Sequence, residues 1–187
     1  MRVIAGTAKG IRLAPVPEGT RPLADRAREG LFSSLGPAVR GARVLDLFAG
    51  TGAIGVEALS RGAEHAVFVD ASAPAIRTVQ ENLRRTRLGD RATVLRRDAG
   101  RAVGERPGSF GVVFMDPPYA YPATAVERLI AELDAWGLVE EGCLVVLTRS
   151  DGSYTPVIPL HWLPDRRLSY GDAFISVFHV TNPEAAG

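Results

Sequence analysis

Cysteine and lysine are nearly absent from this 187-residue chain, which contains one of each, Cys143 and Lys9. A single cysteine excludes a disulfide framework and a zinc site made of Cys-x-x-Cys pairs, and we expect no bound metal. No apolar run is long enough to cross a bilayer and no secretory signal is evident, so we expect a cytoplasmic protein with no membrane partner. The three histidines, at positions 65, 161 and 179, are scattered and are expected to be structural.

A charge of one sign does not dominate either. The net charge is +1, with 46% hydrophobic and 23% charged residues, as in an ordinary globular domain. Any contact with nucleic acid must therefore depend on a local cluster of cations. Residues 1–40 provide one, with a surplus of four positive charges.

Residues 112–119 read VVFMDPPY. The four apolar residues predict a buried strand that ends at Asp116, because two consecutive prolines cannot continue a sheet ladder. Ligands bind at the carboxyl edge of open α/β sheets. A carboxylate, a rigid backbone carbonyl and an aromatic ring are suited to hold a flat group that carries an amine. The candidate catalytic residues are Asp116, Pro117, Pro118 and Tyr119, and an ordinary strand-end turn is the alternative.

A glycine-rich loop follows an earlier predicted strand, Val44 to Phe48. Gly50, Gly52 and Gly55 form G-x-G-x-x-G before a predicted helix that ends near Gly62, which places backbone amides close to a ligand. Dinucleotide-binding folds share this loop. Here a carboxylate at Asp46 precedes it, and such a charge inside the site would repel a pyrophosphate but suit the cationic groups of S-adenosylmethionine.

Two further predicted strands end on acids. Asp70 can accept hydrogen bonds from ribose hydroxyls, and Asp98 can reach an adenine amine or, alternatively, cap the next helix. Ser72 is a predicted cap of the helix after Asp70. The candidate cofactor contacts are Asp46, Phe48, Gly50, Thr51, Gly52, Gly55, Asp70, Ala71, Asp98 and Ala99.

The amino-terminal segment predicts a short hairpin with Gly10 in its turn, followed by a helix from Ala24 to Leu35. Its cations suit an RNA phosphate backbone, while a solvated helix face with Asp25 paired to Arg28 is the alternative. The candidate RNA-binding residues are Arg2, Lys9, Arg12, Arg21, Arg26 and Arg28.

Alternating strands and helices predict an α/β fold, a doubly wound and mostly parallel seven-stranded sheet. Later elements are a helix over 121–135, a strand over 142–147 and a closing hairpin made of 154–159 and 172–180. We divide the chain into a hairpin-plus-helix extension (1–40), a catalytic domain (41–180) and a flexible tail (181–187).

The motifs LDLFAGTGAIGVEAL, VFVDAS, RRDA and MDPPY, in this order, resemble the S-adenosylmethionine-dependent amino-methyltransferases. With the opening RVIAGTAKGIRL and RPLADRAREGLF, nearly the whole chain resembles the RsmD family, the bacterial 16S rRNA guanine-N2-methyltransferases. The resemblance implies a Rossmann-like methyltransferase fold, methylation of a guanine N2 amine in 16S rRNA of the 30S subunit, and a monomer. Leu23 and Ala24 depart from the family pattern, which has hydroxyl residues there, and the fifth strand runs VVLTRS instead of ending near a glutamate.

Other functions stay open at this point. A DNA adenine or cytosine amino-methyltransferase also uses D-P-P-Y, although the short chain leaves no room for a separate target-recognition domain. A nicotinamide-dependent oxidoreductase would share the glycine-rich loop and Asp70 but gives no reason for D-P-P-Y. A non-catalytic RNA-binding module is the third alternative.

Overall fold

The computed structural model describes residues 1–16, 22–150, 152 and 154–182. The helices are α1 (Asp25–Leu35), α2 (Ala53–Ser60), α3 (Ala73–Thr86), α4 (Ala99–Gly104) and α5 (Ala123–Ala135), with 3-10 turns at Gly36–Val39 and Gly89–Arg91. The strands are β1 (Arg43–Leu47), β2 (His65–Asp70), β3 (Ala92–Arg96), β4 (Phe110–Met115), β5 (Val139–Arg149), β6 (Trp162–Tyr170) and β7 (Ala173–Val180). Among the described residues no helix is long and apolar enough to cross a membrane.

The sheet has the order β3-β2-β1-β4-β5-β7-β6, and only the pairs that involve β7 are antiparallel. The predicted α/β class with a mostly parallel seven-stranded sheet is therefore confirmed. Leu47 of β1 is in register with Val69 of β2 and with Met115 of β4, which is in register with Leu147 of β5. These four strands end at one edge, and strand order reverses between β1 and β4, where open sheets hold their ligands.

The central strands are buried on both faces, as parallel strands are when helices cover the sheet. On one face, β1 and β4 side chains pack with α1, α2, α3 and the amino-terminal segment. On the other face, the alternate side chains pack with α4 and α5. The carboxyl edge of the central strands is thus held between two apolar layers.

The first sixteen residues form a compact loop, the amino-terminal loop, rather than a pair of strands. A single antiparallel bridge joins Arg2 to Arg12, and Gly10 takes the predicted turn with a φ of +85°. The loop is fixed to α2, because Glu57 accepts hydrogen bonds from the backbone of Ile4 (2.8 Å) and Ala5 (3.0 Å). Its apolar residues share a core with β1 and β4, so packing is continuous across residue 40.

The sixth strand lies elsewhere than predicted. The prediction that residues 154–159 pair with β7 is wrong, because β6 is Trp162–Tyr170 and Tyr154 to Pro159 contain no strand. β6 is an edge strand whose register shifts between Pro164 and Arg166. An edge strand needs only one hydrogen-bonded side, so it accepts a proline and charged residues that hide the usual signal.

Candidate active site

A cavity of about 520 Å³ opens at the carboxyl edge of the sheet. Its volume lies within the range typical of small-molecule sites. The sequence-predicted residues on its wall are Phe48, Gly50, Thr51, Asp70, Ala71, Asp98, Ala99, Asp116, Pro117, Pro118 and Tyr119. Residues from the glycine-rich loop and from the D-P-P-Y turn therefore share one space.

Asp116 directly follows the last residue of β4 and faces this cavity. Burial raises the pKa of its carboxyl to about 7, because an ionised carboxylate is poorly solvated there. The turn after it is closed by a hydrogen bond of 2.8 Å from Tyr121 N to Pro118 O. This turn carries Tyr119 to the mouth of the cavity, where 56% of the residue is exposed.

The glycine-rich loop is held by Asp70 at the end of β2. One carboxylate oxygen of Asp70 accepts from Gly50 N and the other from Ser72 N, both at 2.8 Å. Ser72 itself caps α3, as predicted, by accepting from Ala75 N. The loop amide at Gly50 thus already binds a carboxylate, and an incoming pyrophosphate would meet the negative charge of Asp70.

Asp46 does not take the place that we predicted for it. It is 1% exposed, lies beneath the loop and is not on the cavity wall, and its Oδ2 accepts from Gly55 N at 3.0 Å. Burial, together with the charges of Asp116 and Asp70, raises its pKa to about 8. The expectation that Asp46 repels a pyrophosphate inside the site is corrected, since this acid acts through the start of α2.

Gly52 and Gly55 are also absent from the cavity wall. Gly52 takes a left-handed conformation with a φ of +72° before α2. A Cβ on Gly55 would lie 2.3 Å from the ring of Phe68 in β2. The motif glycines therefore serve the turn and the close packing of helix against strand, two of the known functions of such glycines.

The sequence leaves two roles open for Asp98, a contact with adenine and a helix cap, and the structure shows the cap. Its Oδ1 accepts from Gly100 N at 2.9 Å and from Arg101 N at 3.3 Å, so it caps α4. It also lines the cavity beside Ala99. The helix-cap alternative is thus observed, and the position still permits a contact with a ligand.

The amino-terminal cations separate into two groups. Arg2, Lys9, Arg12 and Arg26 are exposed, as a phosphate contact requires, while Arg21 lies outside the described residues. Arg28 is fully buried and donates to Asp25 Oδ1 (3.1 Å) and to the backbone oxygen of Arg2. The prediction that Arg28 contacts RNA does not fit the structure, because its guanidinium is enclosed and joins α1 to the first residues.

Sequence reasoning missed the wall that faces the glycine-rich loop. Helix α1 and the residues before it, the end of β5, and the turn between β6 and β7 with its flanking residues form this wall. Its members are Pro22, Leu23, Ala24, Ala27, Thr148, Arg149, Tyr170, Asp172 and Ala173. Register could have found two of them, since Thr148 and Arg149 are the last two residues of β5, which is parallel to β4.

Arg149 is held in this wall by two contacts. Its Nη1 donates to Tyr121 O at 3.3 Å, and its guanidinium carbon lies 5.3 Å from the centre of the Tyr154 ring. The Tyr121 ring in turn packs edge-on against Phe48, with ring centres 4.8 Å apart. These contacts connect Phe48, next to the glycine-rich loop, with Arg149 and Tyr154 on the opposite wall. Within the described ranges, no group of three or more His, Cys, Asp or Glu residues could hold a metal ion.

The chain is similar in sequence to known proteins over most of its length. Residues 1–179 match the protein family described as "Conserved hypothetical protein 95". The YlbH protein of Bacillus subtilis is 37% identical over 182 residues, which cover 95% of this chain and 98% of YlbH. Ribosomal RNA small subunit methyltransferase D of Escherichia coli is 33% identical over 164 residues, covering 87% of this chain and 81% of that protein. The chain belongs to the RsmD family of methyltransferases.

A solved structure agrees with this membership of the RsmD family. YhhF of Escherichia coli superposes with a TM-score of 0.86 at 30% identity, and the match covers 97% of this chain and 98% of YhhF. The similarity therefore extends over the amino-terminal loop, α1 and the closing hairpin as well as the central sheet.

Proposed function

We propose that this protein transfers a methyl group from S-adenosylmethionine to the exocyclic N2 amine of a guanine in 16S rRNA. The observation that carries the proposal is the position of Asp116, at the end of β4, in the same cavity as the loop that Asp70 holds. Membership of the RsmD family and the E. coli relative, an rRNA small subunit methyltransferase by name, support rRNA as the substrate class.

The cofactor half of the cavity fits an adenosyl group. Asp70 accepts one backbone hydrogen bond on each oxygen, and carboxylate oxygens can accept more than one, so it can still bind ribose hydroxyls. Asp98 can accept from the adenine amine on the same side. A dinucleotide is disfavoured because the Gly50 amide, which would hold a phosphate, already binds Asp70.

The opposite half of the cavity suits a nucleobase. Leu23 and Ala24 give it an apolar surface, and Tyr119 presents an aromatic ring at its mouth. A base inside a helix must leave its stack to enter, which costs on the order of a few kcal/mol. Stacking on an aromatic ring such as that of Tyr119 can offset about 1–3 kcal/mol of this cost. Leu23 and Ala24 thus act through packing where the family pattern has hydroxyls.

Asp116 and the backbone oxygen of Pro117 then hold the target amine. The two oxygens accept its hydrogens and turn the nitrogen lone pair toward the methyl donor, S-adenosylmethionine, which supplies an electrophilic methyl group on sulfur. The N–C bond forms as the S–C bond breaks, and positive charge develops on the nitrogen. The Asp116 carboxylate stabilises that charge and accepts the released proton at an Oδ atom, directly or through water. Positioning and electrostatics supply most of the acceleration.

The exposed cations of the first 26 residues supply the contacts to phosphate. Arg2, Lys9, Arg12 and Arg26 are single charges on a rigid surface, which positions RNA without reading its sequence. Because contacts to phosphate carry no sequence information, we propose that the substrate is a preformed surface of the assembled 30S subunit, which the protein binds as a monomer.

Methyl transfer from labelled S-adenosylmethionine to 30S subunits that lack the modification tests the proposal. Protein-free 16S rRNA and bulk DNA are run in parallel, and the labelled nucleoside is identified. We expect N2-methylguanosine, and more of it from 30S subunits. Label in DNA adenine or cytosine would refute the rRNA substrate, and equal or better activity on protein-free rRNA would refute the requirement for an assembled particle.

A further inference from the structure

A buried amide connects the glycine-rich loop to the amino-terminal loop. Asn82 lies in α3 with no exposed surface. Its Nδ2 donates to the backbone oxygen of Thr51 at 2.8 Å, and its Oδ1 accepts from the backbone nitrogen of Ala14 at 2.7 Å. These two partners are 37 residues apart in the chain and belong to different segments.

Each partner belongs to a segment with a place in the site. Thr51 lies in the glycine-rich loop and lines the cofactor half of the cavity. Ala14 is a buried residue at the end of the amino-terminal loop, two residues after Arg12, which is one of the cations that we propose for RNA binding. The glycine-rich loop and the amino-terminal loop are therefore both hydrogen-bonded to one side chain that is neither part of the sheet nor exposed to solvent.

We infer that Asn82 is a positioning residue that fixes the glycine-rich loop relative to the amino-terminal loop. Binding of S-adenosylmethionine and binding of RNA then reinforce each other. The inference rests on the proposed function, because it takes the loop to bind the adenosyl group and the segment to bind RNA. If the first ligand orders one of the two loops, Asn82 partly orders the other loop as well. The second ligand then loses less conformational entropy when it binds. The effect must be reciprocal for the two ligands.

The chemistry of the side chain explains why an amide occupies this position. The two partners need one donor and one acceptor at opposite ends of a short side chain, and a carboxamide offers both at every pH. Aspartate keeps an acceptor for Ala14 N but places a carboxylate oxygen against the oxygen of Thr51. Leucine fills similar space and leaves both backbone groups buried without a partner, which is unfavourable.

Thr86 provides a matched control on the same helix. It is also buried, and its hydroxyl donates to the backbone oxygens of Asn82 and Leu83 within α3. Thr86→Val therefore removes buried hydrogen bonds without touching Thr51 or Ala14. A purely structural role for Asn82 predicts that substitutions at 82 and 86 lower the melting temperature and leave binding alone.

The test measures binding of S-adenosylhomocysteine to the full-length protein by calorimetry, alone and with saturating 30S subunits. In the wild type we expect 30S subunits to tighten this binding about fivefold or more, a usual size for coupling between sites. We expect Asn82→Asp to weaken binding of S-adenosylhomocysteine alone and Asn82→Leu to abolish the tightening. Thr86→Val should retain the wild-type affinity and the tightening.

Three results would overturn the inference. They are the absence of tightening in the wild type, its retention in Asn82→Leu, and equal affinities of Asn82→Asp and Thr86→Val for S-adenosylhomocysteine. If Asn82→Leu does not fold, the comparison of Asn82→Asp with Thr86→Val decides. Failure of the proposed function is distinguishable, because a wild type that binds S-adenosylhomocysteine but does not methylate 30S subunits refutes the substrate, while the affinity of Asn82→Asp still tests the positioning of the loop.

Discussion

At the scale of single residues, Asp116 carries the chemistry that we propose. Asp116→Ala removes the acceptor for the target amine and leaves Asp70 and the loop untouched. We expect kcat to fall by about 10²–10³, the usual cost of losing one preorganised polar group, with the affinity for S-adenosylhomocysteine unchanged. Single-turnover methylation of 30S subunits and calorimetry measure the two quantities.

Asp90 is a suitable control for this substitution, because it is exposed in the 3-10 turn Gly89–Arg91. Asp90→Ala should behave as the wild type.

Since the pKa of Asp116 is about 7 and the carboxylate is the active form, kcat/KM should rise with pH up to about 7 and then level off. A normal rate in Asp116→Ala would contradict the mechanism.

Asp46 gives a prediction about stability. Its pKa in the folded protein is about 8, mainly because it is buried, whereas an unfolded aspartate titrates near about 3.9. Between these pH values the folded state holds one more proton than the unfolded state, so the free energy of unfolding falls as pH rises, by about 1.4 kcal/mol per pH unit. Asp46→Asn cannot titrate but still accepts from Gly55 N.

We therefore expect the stability of Asp46→Asn to depend less on pH than that of the wild type, between pH values of about 5 and 8. Urea unfolding of both proteins across this range measures the difference. Asp116 titrates in both and contributes the slope that remains. Parallel profiles for the two proteins would show that Asp46 is not a buried, protonated acid.

The residues Asp46 and Arg28 also show what sequence could and could not predict at this scale. The patterns D-x-F-x-G-x-G and D-P-P-Y predicted a loop and a turn that do line one cavity, because both patterns depend on local backbone chemistry. Whether a charged side chain reaches the cavity depends on packing between distant segments. Asp46 lies under α2, and Arg28 is enclosed by Asp25, Glu57 and the first residues of the chain.

At the scale of elements, α1 packs closely against β6 at Gly30. A Cβ on Gly30 would lie 1.8 Å from the hydroxyl oxygen of Tyr170, whose ring lines the cavity. Gly30→Ala should therefore destabilise the wild type. In a Tyr170→Ala background the space is open, and the same change should stabilise by about 0.5–1 kcal/mol, because alanine favours a helix over glycine.

A double-mutant cycle of unfolding free energies checks this reversal of sign. The cycle uses the wild type, Gly30→Ala, Tyr170→Ala and the double variant. If Gly30→Ala had the same sign in both backgrounds, the contact between α1 and β6 would not restrict the position of Tyr170.

Elements differed in how well the sequence predicted them. The parallel strands β1 and β4 are mostly apolar, β4 stops before Asp116 and two prolines, and β1 leads into the glycine-rich loop, so their bounds were predicted to within a residue or two. β6 has a pattern of alternating exposure that charged residues and Pro164 obscure. Residues 154–159 gave a stronger strand signal because they are more apolar. They contain two prolines, which cannot donate to a sheet ladder, and they form a loop whose Tyr154 and Ile158 pack against the core.

At the scale of the whole molecule, the amino-terminal loop, α1, α2 and α3 cover one face of the sheet, while α4 and α5 cover the other. The exposed cations that we propose for RNA binding lie on the first face. Glu57 fixes the amino-terminal loop, which carries Arg2, Lys9 and Arg12, and Asn82 connects this loop to Thr51. The surface proposed to bind RNA is therefore rigidly connected to the cavity, and binding energy there can position the target base.

This arrangement predicts that removal of charge matters on one face only. Arg2, Lys9 and Arg12 are exposed, so a triple alanine variant keeps the packing of the loop and removes three contacts to phosphate. We expect a higher KM for 30S subunits, unchanged affinity for S-adenosylhomocysteine, and a slope of log kcat/KM against log salt reduced by about 2 to 3. Steady-state kinetics at several salt concentrations measures these quantities.

A second triple alanine variant, at Arg101, Arg106 and Arg128, is the matched control, because it removes the same charge from exposed residues that belong to or directly follow α4 and α5 on the other face. If net charge alone attracted RNA, the two variants would lose activity equally and their salt slopes would fall together. Because we propose that contact is made on the face that leads to Leu23 and Ala24, the control should retain the wild-type KM and slope. Equal losses in both variants would mean that RNA is attracted by long-range electrostatics and not bound by the amino-terminal loop.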